Sequence, residues 1–251
     1  MATFVNAIRS EWLKTKNSAA SWLCIIGGFL VPLIYCINSF RTGHTINTGA
    51  GATTWQIYFT RMWLDMASFL LPVGVMLAAS LIAQVEFRNN TWKQLHATPQ
   101  KYATIYFAKL SVLLLMTVKF FLFFNVGAIL SALIPSLMLD RHLPNYTIPV
   151  KNFLMIDVCY FSFCLPIILL QFVLSFRIRN FLVPIGIGLA GIIITLIAFQ
   201  WEYIYLSPYS YNMLYSRVNQ VTNEILIYSF AYTIFFTVSG YILYVLQKIK
   251  G

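Results

Sequence analysis

The sequence predicts an all-α membrane protein with six transmembrane helices and an amphipathic helix at the N-terminus. The chain of 251 residues is 59% hydrophobic and only 10% charged, and its mean hydropathy is +0.75, whereas soluble domains carry about 25% charged residues. The apolar residues form six runs of about 20, the length that crosses a bilayer core. The net charge of +10 comes from bases in short loops, which is typical of membrane proteins and does not indicate a nucleic-acid partner.

Residues 1–20 are predicted to form an elbow helix, an amphipathic helix on the inner membrane surface that leads into the first span. Phe4, Ile8 and Trp12 recur every four residues and share one helix face, while charged residues occupy other positions. Glu11 lies among the bases, and no small-residue cleavage site follows the next apolar run, so we expect a retained first span and not a signal peptide.

The six spans form a single domain over residues 1–251. Their predicted bounds are 21–39, 62–84, 103–134, 153–175, 181–200 and 224–246. Bases are concentrated in the loops on one side of these spans, at Arg9, Lys14, Lys16, Arg88, Lys93, Lys101, Arg177, Arg179, Lys248 and Lys250, against Arg41, Arg141, Lys151 and Arg217 on the other. The positive-inside rule therefore predicts that both termini are cytoplasmic.

The outer segment 201–223 is rich in tyrosine. Its candidate outer-gate or substrate-contacting residues are Trp201, Tyr203, Tyr205, Tyr209 and Tyr211. Trp and Tyr favour the membrane–water interface because an apolar ring carries a polar tip. The segment is interpreted as a short helix or hairpin that lies in the outer interface or dips into it, and a plain aromatic belt is the alternative.

Three charged residues fall inside the predicted spans, where burying a charge is costly. Lys119 is near the middle of the third span, and Asp65 and Asp157 are close to the outer ends of the second and fourth. Lys119 could pair with either acid or line a polar cavity on a translocation path, or it could snorkel and only fix helix packing.

The fifth span carries small residues at Gly186, Gly188, Ala190 and Gly191. Small residues let helices approach closely, so this face is predicted to be a dimer interface, with packing inside the chain as the alternative.

No catalytic, cofactor-binding or metal-binding constellation is recognisable in the sequence. There is no phosphate-binding loop, and the three histidines are far apart in sequence. The four cysteines fall in apolar runs without metal-ligand spacing, and they are interpreted as small core residues.

The longest polar stretch, "VEFRNNTWKQLHATPQKYATIYFAKL", lies between the second and third spans. It runs from Glu86 through Thr91 and a short helix at 92–97 to Pro99, and Lys109–Leu110 follows in the third span. This order, together with the elbow helix, resembles the membrane subunits of ATP-binding-cassette exporters of the ABC-2 type. That family usually has Gly where this chain has Asn90, a mild departure because Asn tolerates similar turns.

The resemblance implies a type V exporter-like bundle that pairs with a second permease, either a homologue or another copy. Residues 86–100 would be the cytoplasmic coupling helix that docks on an ATPase subunit, which is expected in two copies; ATP and Mg would bind in that partner and not in this chain. The residues implied in coupling are Glu86, Arg88, Thr91, Trp92, Lys93, Leu95 and Pro99. The family also has a re-entrant outer segment before the sixth span, and its dimer interface commonly uses the first and fifth spans.

Within the family, the chain looks most like the lantibiotic-immunity and bacitracin-resistance permeases. Those act in the bacterial inner or plasma membrane and remove antimicrobial peptides, so a peptide or lipid-associated substrate and contact with membrane lipid are expected. The alternatives are an exporter of another substrate, such as a drug, a lipid or glycan, or sodium, and a membrane scaffold or sensor subunit that transports nothing.

Overall fold

A computed structural model describes residues 2–42, 55–88, 101–138, 148–178, 180–218 and 222–249, and all regular structure in these ranges is helical. The nine α-helices of this part are α1 (Ala2–Thr15), α2 (Ala19–Thr42), α3 (Trp55–Asp65), α4 (Leu71–Arg88), α5 (Tyr102–Met138), α6 (Val150–Arg177), α7 (Leu182–Ile197), α8 (Tyr211–Val218) and α9 (Asn223–Ile249). A π-helical turn, Met66–Leu70, joins α3 to α4. Short 3-10 turns occupy Ala198–Gln200 and Ile204–Leu206.

Within the described residues, six helical segments are long and apolar enough to cross a membrane: Ala19–Arg41, Trp55–Val85, Tyr102–Met138, Val150–Arg177, Leu182–Gln200 and Asn223–Leu246. They are the six segments that the sequence indicated. The second begins at Trp55, earlier than the predicted residue 62, because Trp55, Tyr58, Phe59 and Met62 share one buried helix face. The polar residues among them, such as Gln56 and Arg61, are exposed and lowered the apparent hydropathy.

The second span is interrupted by the π-helical turn. Pro72 has no backbone N–H, so it cannot close the usual bond to the carbonyl four residues earlier. The residue before it, Leu71, bonds through its N–H to the carbonyl of Met66, five residues back, where an α-helix would use the carbonyl of Ala67. Such π turns are common at functional sites and shift the register of the helix that follows. This interruption was not predicted, although Pro72 is its local cause.

Helices α2 and α5 run parallel and in close contact. A Cβ at Gly28 would lie 2.9 Å from the carbonyl oxygen of Phe120, and one at Gly127 would lie 3.0 Å from Pro32. These glycines therefore allow the two backbones to approach where larger residues would not fit. The residue numbers of the contacting positions increase together along α2 and α5, so the two helices run in the same direction.

The core lies between α3, α4, α5 and α6 and is largely aromatic. Trp63 is fully buried, and its ring stacks on Tyr160 with centroids 4.3 Å apart. Phe59 stacks on Phe153 at 3.8 Å. Helix α4 ends, and α5 begins, at the same end of the bundle. Because α1 packs against α5 there, we call it the α1 end.

After α7 the chain turns back beside that helix. The hydroxyls of Thr195 and Ser207 are 2.7 Å apart, and a Cβ at Gly191 would meet the ring of Tyr209 at 2.5 Å. Ser207 therefore pairs with Thr195, and Tyr209 with the earlier residue Gly191, so this stretch runs antiparallel to α7. The chain descends into the bundle here before α8 and α9 continue.

Candidate functional site

Of the predicted coupling segment, residues 86–100, the structure describes only the two flanks, at the end of α4 and the start of α5. Glu86 and Arg88 belong to the last turn of α4. Thr91, Trp92, Lys93, Leu95 and Pro99 lie outside the described residues. The flanks belong to the second and third membrane-spanning segments, which end and begin next to the coupling segment.

A buried ion pair ties α1 to α5 at the α1 end. Glu11 is 9% exposed and Lys109 only 1%. The Lys109 Nζ donates to Glu11 Oε2 at 3.3 Å, and the Lys14 Nζ donates to Glu11 Oε1 at 2.6 Å. The Lys109 ammonium also lies 5.8 Å from the ring centroid of Phe176 on α6. Both carboxylate oxygens thus have a cation, and three helices meet at this point.

Glu11 and Lys109 both belong to the sequence motifs described above, but their pairing was not predicted. For Lys109 the signal was present, since it is a charged residue in a predominantly apolar helix and buried charges need partners. The two residues are 98 positions apart in sequence, and no local periodicity connects them, so the pairing could not be predicted.

Of the alternatives that the sequence left open for Lys119, pairing with Asp65 or Asp157 is not observed among the described residues. The Lys119 Nζ donates to Ser21 Oγ at 2.5 Å and lies 5.9 Å from the ring centroid of Phe123. Ser21 is in the first turn of α2. The ammonium thus reaches along the parallel α2–α5 pair towards the α1 end, as expected for a snorkelling lysine.

Asp65 and Asp157 instead accept hydrogen bonds from neutral donors. The Tyr35 hydroxyl donates to Asp65 Oδ2 at 2.6 Å. The Trp63 Nε1 donates to Asp157 Oδ1 at 3.1 Å, and the Asn125 Nδ2 donates to Asp157 Oδ2 at 2.6 Å. In the part of the chain that the structure describes, neither carboxylate forms a salt bridge.

The tyrosine-rich outer segment divides into an exposed and a buried part. Trp201 and Tyr203 are exposed, with ring centroids 5.7 Å apart, and Tyr205 packs on Tyr228 at 5.0 Å. Tyr209 and Tyr211 are buried instead. The turn around Pro208 directs these two side chains into the bundle, and their role at an outer gate stays a prediction.

Tyr209 is held by a buried polar contact. The Gln171 Nε2 on α6 donates to the Tyr209 hydroxyl at 2.8 Å, and Gln171 is fully buried. Tyr211 packs instead in a cluster with Phe163 and Ile225. These contacts fix the descending segment to α6 and α9.

The small residues of the fifth span face two directions. A Cβ at Gly188 would clash with Met76 and Gln171, and one at Gly191 would clash with Tyr209. These two glycines pack inside the chain, which is the alternative that the sequence left open. A Cβ at Gly186 would have no described atom within 4 Å, and Ala190 is exposed, so these two small residues remain on a free face.

Within the described ranges, no group of three or more His, Cys, Asp or Glu residues is placed to hold a metal ion.

A family model described as "ABC-2 family transporter protein" matches residues 7–195. The match runs from α1 into the last turn of α7. Comparisons with curated proteins and with solved structures found no significant match.

Proposed function

The chain belongs to the ABC-2 transporter family, and we propose that it is the membrane-spanning permease subunit of an exporter whose ATPase is a separate protein. The observation that carries this proposal is the family match over residues 7–195 of 251, combined with the six candidate spans. ATP and Mg would bind in the ATPase, and this chain would convert its movement into transport.

The proposed path of that movement begins at residues 86–100. An ATPase docked there would pull on α4 and α5 together. The ion pair of Glu11 with Lys109 supports this path because it links α1 to α5 about two turns after α5 begins. Trp92 and Leu95 are proposed as apolar anchors in the ATPase groove, with Arg88, Lys93 and Lys101 at its rim.

The proposed setting is a bacterial plasma membrane with the α1 end in the cytoplasm. The excess of bases in the loops at that end supports this orientation. The permease is proposed to act as a dimer with a homologue or a second copy, and Gly186 and Ala190 supply a small-residue face for that contact.

The proposed substrate is an antimicrobial peptide of the lantibiotic or bacitracin type, taken from the membrane. The exposed aromatic residues Trp201 and Tyr203 at the end opposite α1 support an amphipathic substrate, since such rings bind at the membrane–water interface.

The proposal is tested by extracting the tagged chain gently from its native membrane and identifying by mass spectrometry what co-purifies. We expect an ATP-binding-cassette ATPase in the wild-type sample, and its loss in the double variant Trp92→Glu, Leu95→Glu. Trp201→Glu, the same change at the opposite end, is the matched control and should retain the ATPase. A chain that is recovered alone, or that loses the ATPase equally in both variants, contradicts the proposal. A second permease in the sample would identify a heterodimer.

A further inference from the structure

An open groove lies on the side of the bundle between α5 and α6. Its volume is about 400 Å³, and ten of its twelve lining side chains are apolar. Leu122, Leu154 and Val158 on its walls are 60–64% exposed. The groove therefore opens towards the surroundings of the bundle, which are lipid in a membrane, and its volume is within the range of small-molecule sites, roughly 300–1,000 Å³.

The two polar side chains in the groove are Asn125 and Asp157. Each carboxylate oxygen of Asp157 accepts one hydrogen bond, from Trp63 Nε1 and from Asn125 Nδ2. A carboxylate has about four acceptor positions, so two remain for a further donor. The bonds from α3 and α5 hold the carboxylate in a fixed position at the base of an apolar groove.

The charge of Asp157 is not balanced within the described part of the chain. The salt bridges there join Glu11 to Lys14 and Lys109, and the Lys119 ammonium is bound to Ser21. A carboxyl group among apolar side chains in lipid is either protonated or paired with a cation, because an isolated anion there is costly. The groove thus combines an apolar wall with a carboxyl group that is able to pair with an ammonium group.

We propose that the groove between α5 and α6 binds an amphiphile that bears a primary ammonium group, with the ammonium on Asp157 and the apolar part along the two helices. Asp157 lies about two turns from the start of α6, in the half of the bundle opposite α1. The amphiphile enters sideways from the membrane leaflet at that end. The inference rests on the proposed function in one respect: it assumes that the bound amphiphile belongs to the class of molecule that is exported.

Binding can be measured on the purified full-length chain in lipid nanodiscs, without ATPase or nucleotide. The probe is dodecylamine that carries a photoreactive diazirine, and the matched neutral probe is dodecanol with the same group. We expect the amine to label peptides of α5 and α6 around residues 122–129 and 150–158, in a way that unlabelled dodecylamine competes away. Asp157→Asn should weaken amine binding about tenfold or more, because hydrogen bonds to charged groups are the strong ones.

Two further variants keep the test decisive. Leu154→Trp fills the groove from an exposed position and should block labelling while Asp157 stays in place, even if Asp157→Asn folds poorly. Glu224→Gln removes a carboxylate at the exposed start of α9 and should leave labelling unchanged.

Equal labelling by the amine and the alcohol would overturn the inference, as would labelling that persists in both Asp157→Asn and Leu154→Trp. A reduction of the same size in Glu224→Gln would also contradict it. Because no ATPase is present, this outcome is independent of the co-purification experiment: groove binding without a co-purifying ATPase contradicts the exporter proposal alone.

Discussion

The contact between Glu11 and Lys109 shows how single residues connect α1 to the rest of the helical bundle. Lys109 is almost fully buried and lies 3.3 Å from the carboxylate. A buried pair gains little over an apolar replacement of both residues, because desolvation offsets most of the attraction, but removing one partner leaves an uncompensated charge. The value of this pair therefore lies in fixing α1 against α5 in one arrangement.

Lys109→Met should lower the free energy of unfolding by about 1–3 kcal/mol, because Glu11 loses one of its two charged donors and keeps only Lys14. The double variant Glu11→Gln, Lys109→Met should recover most of that loss. Equilibrium unfolding of the chain in mixed micelles measures both values. Lys14→Gln is the matched control: Lys14 is partly exposed, and its removal should cost at most about 1 kcal/mol. A double variant as unstable as Lys109→Met would show that the pair is not what stabilises this contact.

Among the structural elements, the segment from Ala198 to Val218 departs most from a simple connection between spans. It descends beside α7, buries Tyr209 and Tyr211 and leaves Trp201 and Tyr203 exposed. Arg217 at its end lies 4.2 Å from the ring centroid of Phe199 at its start, and Tyr232 donates to the carbonyl of Leu206 at 3.0 Å. These contacts close the segment on itself and on α9.

Tyr209→Phe should destabilise the chain by about 1–3 kcal/mol, because the Gln171 amide loses its acceptor in a fully buried position. Tyr203→Phe removes the same hydroxyl from an exposed side chain and should change stability by less than about 0.5 kcal/mol. Thermal unfolding of the two variants in the same detergent compares them directly. Equal effects of the two substitutions would mean that Tyr209 is not held by Gln171.

The sequence predicted elements well and tertiary contacts poorly. The six spans could be located because each is a continuous apolar run whose length is set by the bilayer. The Glu11–Lys109 pair and the contact of Gln171 with Tyr209 could not be located, because each depends on residues that approach only after the helices pack. The partner of Lys119 was missed for the same reason: the position of Lys119 in the third span does not show which residues of α2 lie beside it. The π-helical turn before Pro72 was missed for another reason: a proline in an apolar run does not specify which hydrogen-bond pattern precedes it.

For the whole molecule, the asymmetry of charge between the two ends determines the expected orientation in the membrane. By the sequence assignment of loops and termini, ten bases fall on the side where α4 ends and α5 begins, and four on the other side. Since loops rich in Lys and Arg stay on the cytoplasmic side, we expect the exposed Trp201 and Tyr203 to face outward and the coupling segment to face the ATPase.

In intact cells, a membrane-impermeant maleimide should label a cysteine placed at Glu202 but not one at Lys16. Both positions are exposed in the structure, so accessibility differs only through the membrane. Labelling of the Lys16→Cys variant should appear after permeabilisation. The variants are made in a background whose four native cysteines are replaced, with the unmodified background as the control. The reverse pattern would place the α1 end outside and remove the coupling segment from any cytoplasmic ATPase.

The proposed contact between residues 86–100 and an ATPase can be tested in the membrane itself. A photo-crosslinking amino acid at position 92 should capture, on irradiation of intact cells, a protein that mass spectrometry identifies as an ATP-binding-cassette ATPase. The same amino acid at Trp201, at the opposite end of the bundle, is the control and should capture none. Capture of the ATPase at position 92 alone is the result we predict. No ATPase at position 92, or capture at both positions, would contradict the assignment of this chain as an ATP-driven permease.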